Sequence, residues 1–594
     1  MKSLCLARRS LAVWCLAAIL GVSCAAPSAS PGSSQRGAGD APRGAQEPAS
    51  RKVLNMALNT IIDGFSIAAS ATLAGGGISY AEMHSQALFT SDKTTGRPIP
   101  RLLSELPTLD NGGLRLEDNG RMIATYKIRP DVKWADGQQF TSRDLLFTYR
   151  VIQEASMPVI DRGPAGLMES AAGPDPLTFV VTWSQPYYQA DALGLQPFWP
   201  LPAHALESDY NTLVVEQKDV QGFLAKPYWT SEYFHVGPFR LVAFNQGVEA
   251  VFDVVETYFL GRPKVDRIVV KQFGDPGTVY ANVLAGAVDL GVDNVLRVEY
   301  AVDLRSRWER DGGGTVYFAS GPTWFIGFQF DRSTPDHQAV VLDKRIRTAL
   351  YQAIDRDAYS DGVSAGIADR AAYAMLSPAD PLFPSVKDGW KQRYPYDTAQ
   401  SLSIFEQAGW RRGSDDMLIN AQGERLNLGL RTPVDETAPI IADMWKKIGV
   451  DSSIEVIPPV LIRDRQYRQA FRAIEITARG SEDVILTRLD CSAAPTAQNR
   501  YSGNNRGHWC NADFDRLAAV YRTSLREEDR AQAIRQIQDV VMEDLPVGLL
   551  NYPVATVFAR KGVTAFSDDF AGGAEGGRSY GSFTRNAHEW AILP

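Results

Sequence analysis

At 594 residues the chain is longer than one hydrophobic core supports, so two or more domains are expected. Its hydrophobic fraction of 45% and aromatic fraction of 10% are those of a soluble globular protein. The formal charge of −8, with no cluster of Lys and Arg, argues against nucleic acid as a partner, because phosphate binding needs grouped cations.

The chain opens with a basic stretch, Lys2, Arg8 and Arg9, followed by an apolar run from Leu11 to Val22. This reads as a secretory signal over residues 1–23, too short for an ordinary spanning helix. Removing it takes away three cations and no acids, which moves the charge from −8 to about −11. The run ends Leu-Gly-Val-Ser-Cys-Ala-Ala, which resembles a bacterial lipobox with Cys24 as the lipid-modified first residue, although Gly21 stands where Leu is usual. The alternative is plain cleavage after Ala25 or Ala26. From Ala25 to Ser50, 20 of 26 residues are Ala, Pro, Ser or Gly, too little apolar surface to offset ordering entropy. Residues 24–50 therefore read as an anchor cysteine and a disordered linker, with an end-to-end reach of about 30 Å.

The body starts with a strand-like run, Val53 to Ala57, and a helical region in which Tyr80, Met83, Ala87 and Leu88 recur at roughly helical spacing. Next comes the most patterned stretch of the chain, Ala124 to Ile152. Ala124, Tyr126 and Ile128 alternate with polar neighbours as in a half-buried strand. Pro130-Asp131 and Asp136-Gly137 bracket a second short alternation at Val132-Lys133-Trp134. Thr141 stands three residues before Asp144, close to a capping box, and Leu145, Leu146, Tyr149 and Ile152 follow on one helical face. A hairpin is predicted at Phe239 to Val254 with its turn at Gln246-Gly247. Beyond it come a strand at Ile268 to Val270, a helix through Tyr280, Val283 and Leu284, and Val288-Asp289-Leu290. Trp324 to Phe330 reads as an apolar strand, and Asp343 to Asp361 as helical. Helices are expected at Asp397 to Trp410, Ala438 to Lys447 and Glu527 to Glu543, a strand at Ile454 to Ile457, and a terminal strand at His588 to Leu593.

Several of these segments carry a resemblance. Tyr-x-Ile-Arg, Val-Lys-Trp-x-Asp-Gly and Phe-Thr-x-x-Asp-Leu (Tyr126 to Leu145) resemble the signature of the solute-binding proteins of peptide and nickel ABC importers, the oligopeptide- and dipeptide-binding type. The segments Gly237-Pro-Phe, Gly261-Arg-Pro-Lys, Ala285-Gly-Ala-Val-Asp-Leu and Ile346-Arg-Thr-Ala-Leu…Ala-Ile-Asp-Arg follow in the family's order, with Phe259-Leu260 in place of the more usual Tyr-Trp. The resemblance covers about residues 53–594. It implies an α/β fold, a two-lobed periplasmic-binding-protein clam of class II type with an additional domain in the first lobe. The first-lobe core would be 51–92, 234–327 and 552–594, the additional domain 93–233, and the second lobe 328–551, with hinge crossings near Trp324 and Asn551. It further implies an exported, monomeric binding component without cofactor or turnover. Such a protein, lipid-anchored at the outer face of the cell membrane or in the periplasm, captures a peptide or other small solute for an ABC permease. Nickel chelates, haem, opines and oligosaccharides are rival ligands.

In that family an aspartate in a Trp-x-x-Asp-Tyr-x-Asp-Pro-like segment anchors a peptide's amino group. The corresponding stretch here, Ile474 to Asp483, lacks the tryptophan and the Asp-Pro. Glu482 or Asp483 fits a cationic ligand end or a solvated turn, and Arg479, beside Gly480, favours a carboxylate through bidentate bonding. Tyr80 and Trp324 are aromatic pocket candidates, with core packing the alternative for each. Cys491 and Cys510 read as a disulfide in an exported protein, or less simply as metal ligands beside His508. Gly362-Val-Ser364-Ala-Gly366 matches a hydrolase elbow pattern, but the elbow needs a strand before its serine and the run before Ser364 is helical. No histidine pair sits at metal-ligand spacing.

Overall fold

In a computed structural model, the protein is described over residues 51–593, except 60, 66–76, 93–94, 159–162, 191–192, 196–197, 321–322, 368, 379, 388, 435, 463, 480–485, 487 and 565–581. The signal, Cys24 and the linker lie outside the described residues.

Two main sheets organise the body. The seven-stranded sheet runs in the order Gly314–Ser320, Val554–Arg560, Leu290–Gly291, Val53–Leu58, Arg267–Gln272, Glu249–Val254, Phe239–Asn245. The five-stranded sheet runs Asp451–Val456, Asn427–Thr432, Ile474–Arg479, Thr323–Phe328, Val547–Asn551. Each has its own apolar core, the first built on Leu54, Met56, Phe252 and Ile268, the second on Ile326, Leu350, Trp445 and Ile474. The strand Thr323–Phe328, expected with the first lobe up to residue 327, instead pairs on both sides within the five-stranded sheet. An all-apolar strand pattern fits either buried sheet, so the pattern could not assign it. A third, four-stranded sheet, with Met122–Lys127 between Leu114–Leu116 and Thr178–Trp183, closes over a separate core that includes Tyr126, Trp134 and Trp183.

The Ala124–Ile152 stretch folds as its pattern dictates, into strand Met122–Lys127 and helix Ser142–Gln153. The Thr141 N–H donates to Asp144 Oδ2 at 2.9 Å, and Asp144 Oδ1 accepts from the Ala203 N–H at 2.9 Å. One buried carboxylate thus caps this helix and holds the start of helix Ala203–Asp209. The helix expected through Leu88 is a 3-10 helix ending at Met83. The run from Asp343 divides into Lys344–Gln352 and Arg356–Val363, because Asp355 starts a fresh N-cap on the Ala358 N–H. Helix Glu527–Asp544 ends at Leu545, which takes a left-handed φ of 48° just before Pro546.

Segment His235 to Phe239 packs against the 3-10 helix by close backbone approach. A Cβ on Gly237 would lie 2.2 Å from the His84 carbonyl carbon, so only glycine fits. His235 is buried with both ring nitrogens engaged. Nε2 donates to the Pro200 carbonyl at 2.9 Å while Nδ1 accepts from the Gln86 N–H at 3.2 Å, which fixes a neutral tautomer. Burial pushes the His235 pKa down to about 3, and burial also lowers His84 well below the usual histidine range. A histidine held neutral when folded contributes stability that is complete above its unfolded pKa near 6.5 and is lost as pH falls toward the folded value. Below pH 6.5, His235 alone is therefore expected to cost about 1.4 kcal/mol of stability per pH unit. Urea melts at stepped pH check this. The slope in His235→Asn should be shallower than in the parent, and equal slopes would show that His235 titrates normally.

Candidate functional site

The strand directions define where the two sheets meet. Val53–Leu58 runs parallel to Arg267–Gln272 and Leu290–Gly291, while Val554–Arg560 runs against Leu290–Gly291 and Gly314–Ser320. Leu58, Gln272, Gly291 and Ser320 therefore end on one edge, where Val554 begins. In the other sheet Ile474–Arg479 runs parallel to Asn427–Thr432, itself parallel to Asp451–Val456, and Thr323–Phe328 opposes both of its neighbours. Thr432, Val456, Arg479 and Asn551 end on one edge, where Thr323 begins. The chain passes between these two edges twice, from Ser320 to Thr323 and from Asn551 to Val554. The carboxyl-end edges of both sheets thus meet at a double crossing, the place where open α/β sheets bind ligands.

Two of the candidates chosen from sequence stand on this edge together. Thr323 pairs with Arg479, and Trp324, half-buried, pairs with Ala478 on one side and Asn551 on the other. The Arg479 side chain, Gly480, Glu482 and Asp483 lie outside what the structure describes. Tyr80 is fully buried in the first-lobe core, its ring centroid 5.3 Å from that of His84, so it packs in that core.

The edge also carries residues that pattern reading passed over. Asp293 and Asn294 take φ values of 54° and 57°, a left-handed conformation that Asp and Asn tolerate best. Asn294 Oδ1 accepts from the Thr556 N–H at 3.1 Å, and Asn59 Nδ2 donates to the Asn294 carbonyl at 3.0 Å. Asn551 is buried, and its Oδ1 has no hydrogen-bond partner among the described residues. Side-chain bonds also cross between the lobes here. Arg370 donates to the Phe318 carbonyl at 3.0 Å, and Arg297 pairs with Glu436 at 3.3 Å.

Further back along the strand that ends at Arg479, Glu475 is held between two arginines. Arg468 Nη2 donates to Glu475 Oε1 at 2.9 Å, and Arg506 Nη2 to Oε2 at 2.6 Å. Burial pushes this carboxyl up, but Arg506 and Arg468, with Arg488, overcome it and hold Glu475 below the ordinary glutamate value. A cavity of about 30 Å³ lies alongside, lined by Phe325, Glu475, Thr477, Arg488 and Arg506. That is room for a water or two and far below the several hundred Å³ of a ligand pocket. A larger open groove of about 400 Å³ lies on the third sheet's domain beside Tyr149, Arg150 and Tyr210.

Ser364 does not form a hydrolase elbow. It caps the C-terminal end of helix Arg356–Val363, is buried, and has no hydrogen-bond partner for its Oγ among the described residues. The run before it is helix rather than the strand an elbow needs, and among the described residues no histidine bonds it. Cys491 and Cys510 are bonded to each other, their Cα atoms 4.8 Å apart. With Asp515 they form the group of potential metal ligands found among the described residues, but both sulfurs are already committed. No helix of the described residues is long and apolar enough to cross a membrane.

The profile of the family described as bacterial extracellular solute-binding proteins, family 5 (middle) matches residues 102–480. The chain belongs to that family. Protein XP55 of Streptomyces lividans is 26% identical to this solute-binding protein over 456 residues, spanning 75% of this chain and 74% of its own. The oligopeptide-binding protein AppA of Bacillus subtilis is 22% identical over 444 residues, 74% of this chain and 76% of its own. Among solved structures, the oligopeptide-binding protein of Thermus thermophilus in complex with a pentapeptide superposes with a TM-score of 0.68. It is 22% identical and covers 91% of this chain and 96% of its own. The two-lobed α/β fold is thereby that of the periplasmic binding proteins.

The buried triad of this solute-binding protein makes a sharp energetic prediction. Glu475→Ala leaves Arg468 and Arg506 buried without their shared counter-ion and is expected to cost about 3–5 kcal/mol. Removing the exposed partner Arg121 from Glu169 should cost at most about 1 kcal/mol. Chemical denaturation of the two variants measures the difference. Equal, small losses would mean the triad is not buried as described.

Proposed function

We propose that this protein is the extracytoplasmic receptor of an ABC importer and captures a peptide or a related carboxylate-bearing solute between its lobes. The double crossing of the chain between two facing carboxyl-end edges carries this reading. It lets one lobe swing on the other, which converts ligand capture into a closed form that a permease can recognise. Trp324 would supply an apolar wall and Arg479 a carboxylate contact. AppA's name favours a peptide, while the missing Asp-Pro segment in this chain argues that its amino-end recognition differs. The protein would bind without chemistry, as members of a binding-protein family do.

Mass spectrometry of material released by denaturing the purified protein tests the ligand class. Peptides are expected, and adding a tryptic peptide mixture should raise the melting temperature, since ligand at one hundred times Kd adds about 2.7 kcal/mol of stability. No released peptide together with no thermal shift would sink the peptide reading.

We further propose that Cys24 is lipid-modified, so that the protein is tethered outside the cytoplasm, where Cys491 and Cys510 oxidise. Closing a loop with a sequence separation of 19 would contribute about 3 kcal/mol in the chain-entropy model. The intact mass of the non-reduced, alkylated protein decides both points. It should show a lipidated N-terminus at Cys24 and no alkylated thiol. An unmodified N-terminus beyond Cys24 would contradict the anchor, and two alkylated cysteines would contradict the disulfide.

A further inference from the structure

The lobes touch at a second place, formed by neither crossing. The adjacent residues Tyr187 and Tyr188 enter two different cores. Tyr187 packs on Trp183, ring centroids 4.8 Å apart, within the core of the four-stranded sheet's domain. Tyr188 instead belongs to the core of the five-stranded sheet's lobe and is only 3% exposed. Its ring meets Tyr521 edge-on at 5.2 Å, and the Arg530 guanidinium lies 5.3 Å from its centroid. The Tyr188 N–H donates to the Arg522 carbonyl at 3.2 Å.

The receiving surface is the turn between helices Ala512–Thr523 and Glu527–Asp544. Arg530 holds that turn by donating to the Ser524 and Leu525 carbonyls at 3.0 and 2.9 Å, so the socket keeps its form from its own side. Leu525, in the same turn, packs back against the four-stranded sheet's core. Arg97 adds a bidentate pair to Glu527, at 2.7 and 2.9 Å. Side chains from each body are therefore inserted into the other, with a polar clasp at the rim.

We propose that Tyr188 in its socket, with Arg97–Glu527, is a latch that holds the lobes closed independently of what occupies the cleft. Swinging the lobes apart must withdraw Tyr188 from an apolar core into water and break a charged pair. The closed population is thereby set by the latch as well as by ligand, and a ligand need supply only the remaining bias.

This inference rests on the two-lobed closing motion but not on any ligand, so its test uses ligand-free protein. Small-angle scattering compares the parent with Tyr188→Ser and Glu527→Lys, with circular dichroism as the check on folding. Both variants are expected to shift the pair-distance distribution to longer distances, Tyr188→Ser by more, and Arg97→Glu combined with Glu527→Arg should return it toward the parent. Unchanged scattering from folded Tyr188→Ser would overturn the latch. Should Tyr188→Ser fail to fold, Glu527→Lys decides, and its scattering matching the parent would overturn the proposal equally. A peptide assignment that fails would leave this result untouched.

Discussion

Everything functional in this molecule depends on two chain crossings of two residues each. Between Ser320 and Thr323, and again between Asn551 and Val554, three Cα–Cα steps span at most about 11 Å. The ending strands of one sheet and the starting strands of the other must therefore stand edge to edge at that point. The paired crossings join the lobes at two points, as the proposed hinge requires. The carboxyl-end edges of the two sheets are left next to each other. Recognition of a peptide-like ligand by such edges needs few special side chains, which suits a family whose members share a fold at low identity.

The same constraint explains why the polar residues near the edge are so firmly held. Asn294 and Asn59 tie the first-lobe strand ends to one another, and Arg370 ties the second lobe to the Phe318 carbonyl beside a crossing. Glu475 anchors the strand that delivers Arg479 by holding Arg468 and Arg506 at once. A carboxylate that loses hydration on burial stays ionised only because two guanidiniums meet it, so the triad fixes geometry more than it adds net stability. The Tyr188 socket adds a contact between the lobes apart from the two crossings.

Much of the fold was legible because local and global signals agree. The alternation at Ala124 to Ile128, the Thr141–Asp144 cap and the Gln246-Gly247 turn each correspond to an element in the structure. The order of the motifs identified the family before any contact was known. What stayed hidden depends on contacts distant in sequence. The sheet membership of Thr323–Phe328 is decided by partners 146 and more residues away, and an all-apolar strand does not name its sheet. Tyr80 carried a helical signal that served the core. Tyr187 and Tyr188 look alike in sequence and go to different bodies, a distinction made only by which surfaces meet. Asp293 and Asn294 offered a readable hint, since consecutive Asp and Asn are tolerant of left-handed backbone.

The central claim is that ligand binds where the two carboxyl-end edges meet. Hydrogen–deuterium exchange with and without a peptide mixture that stabilises the protein tests it most directly. The account predicts slowed exchange at 58–59, 293–297, 318–324 and 476–479, on both sides of the crossings. Protection confined to the groove beside Tyr149, Arg150 and Tyr210, with the strand ends unchanged, would contradict it.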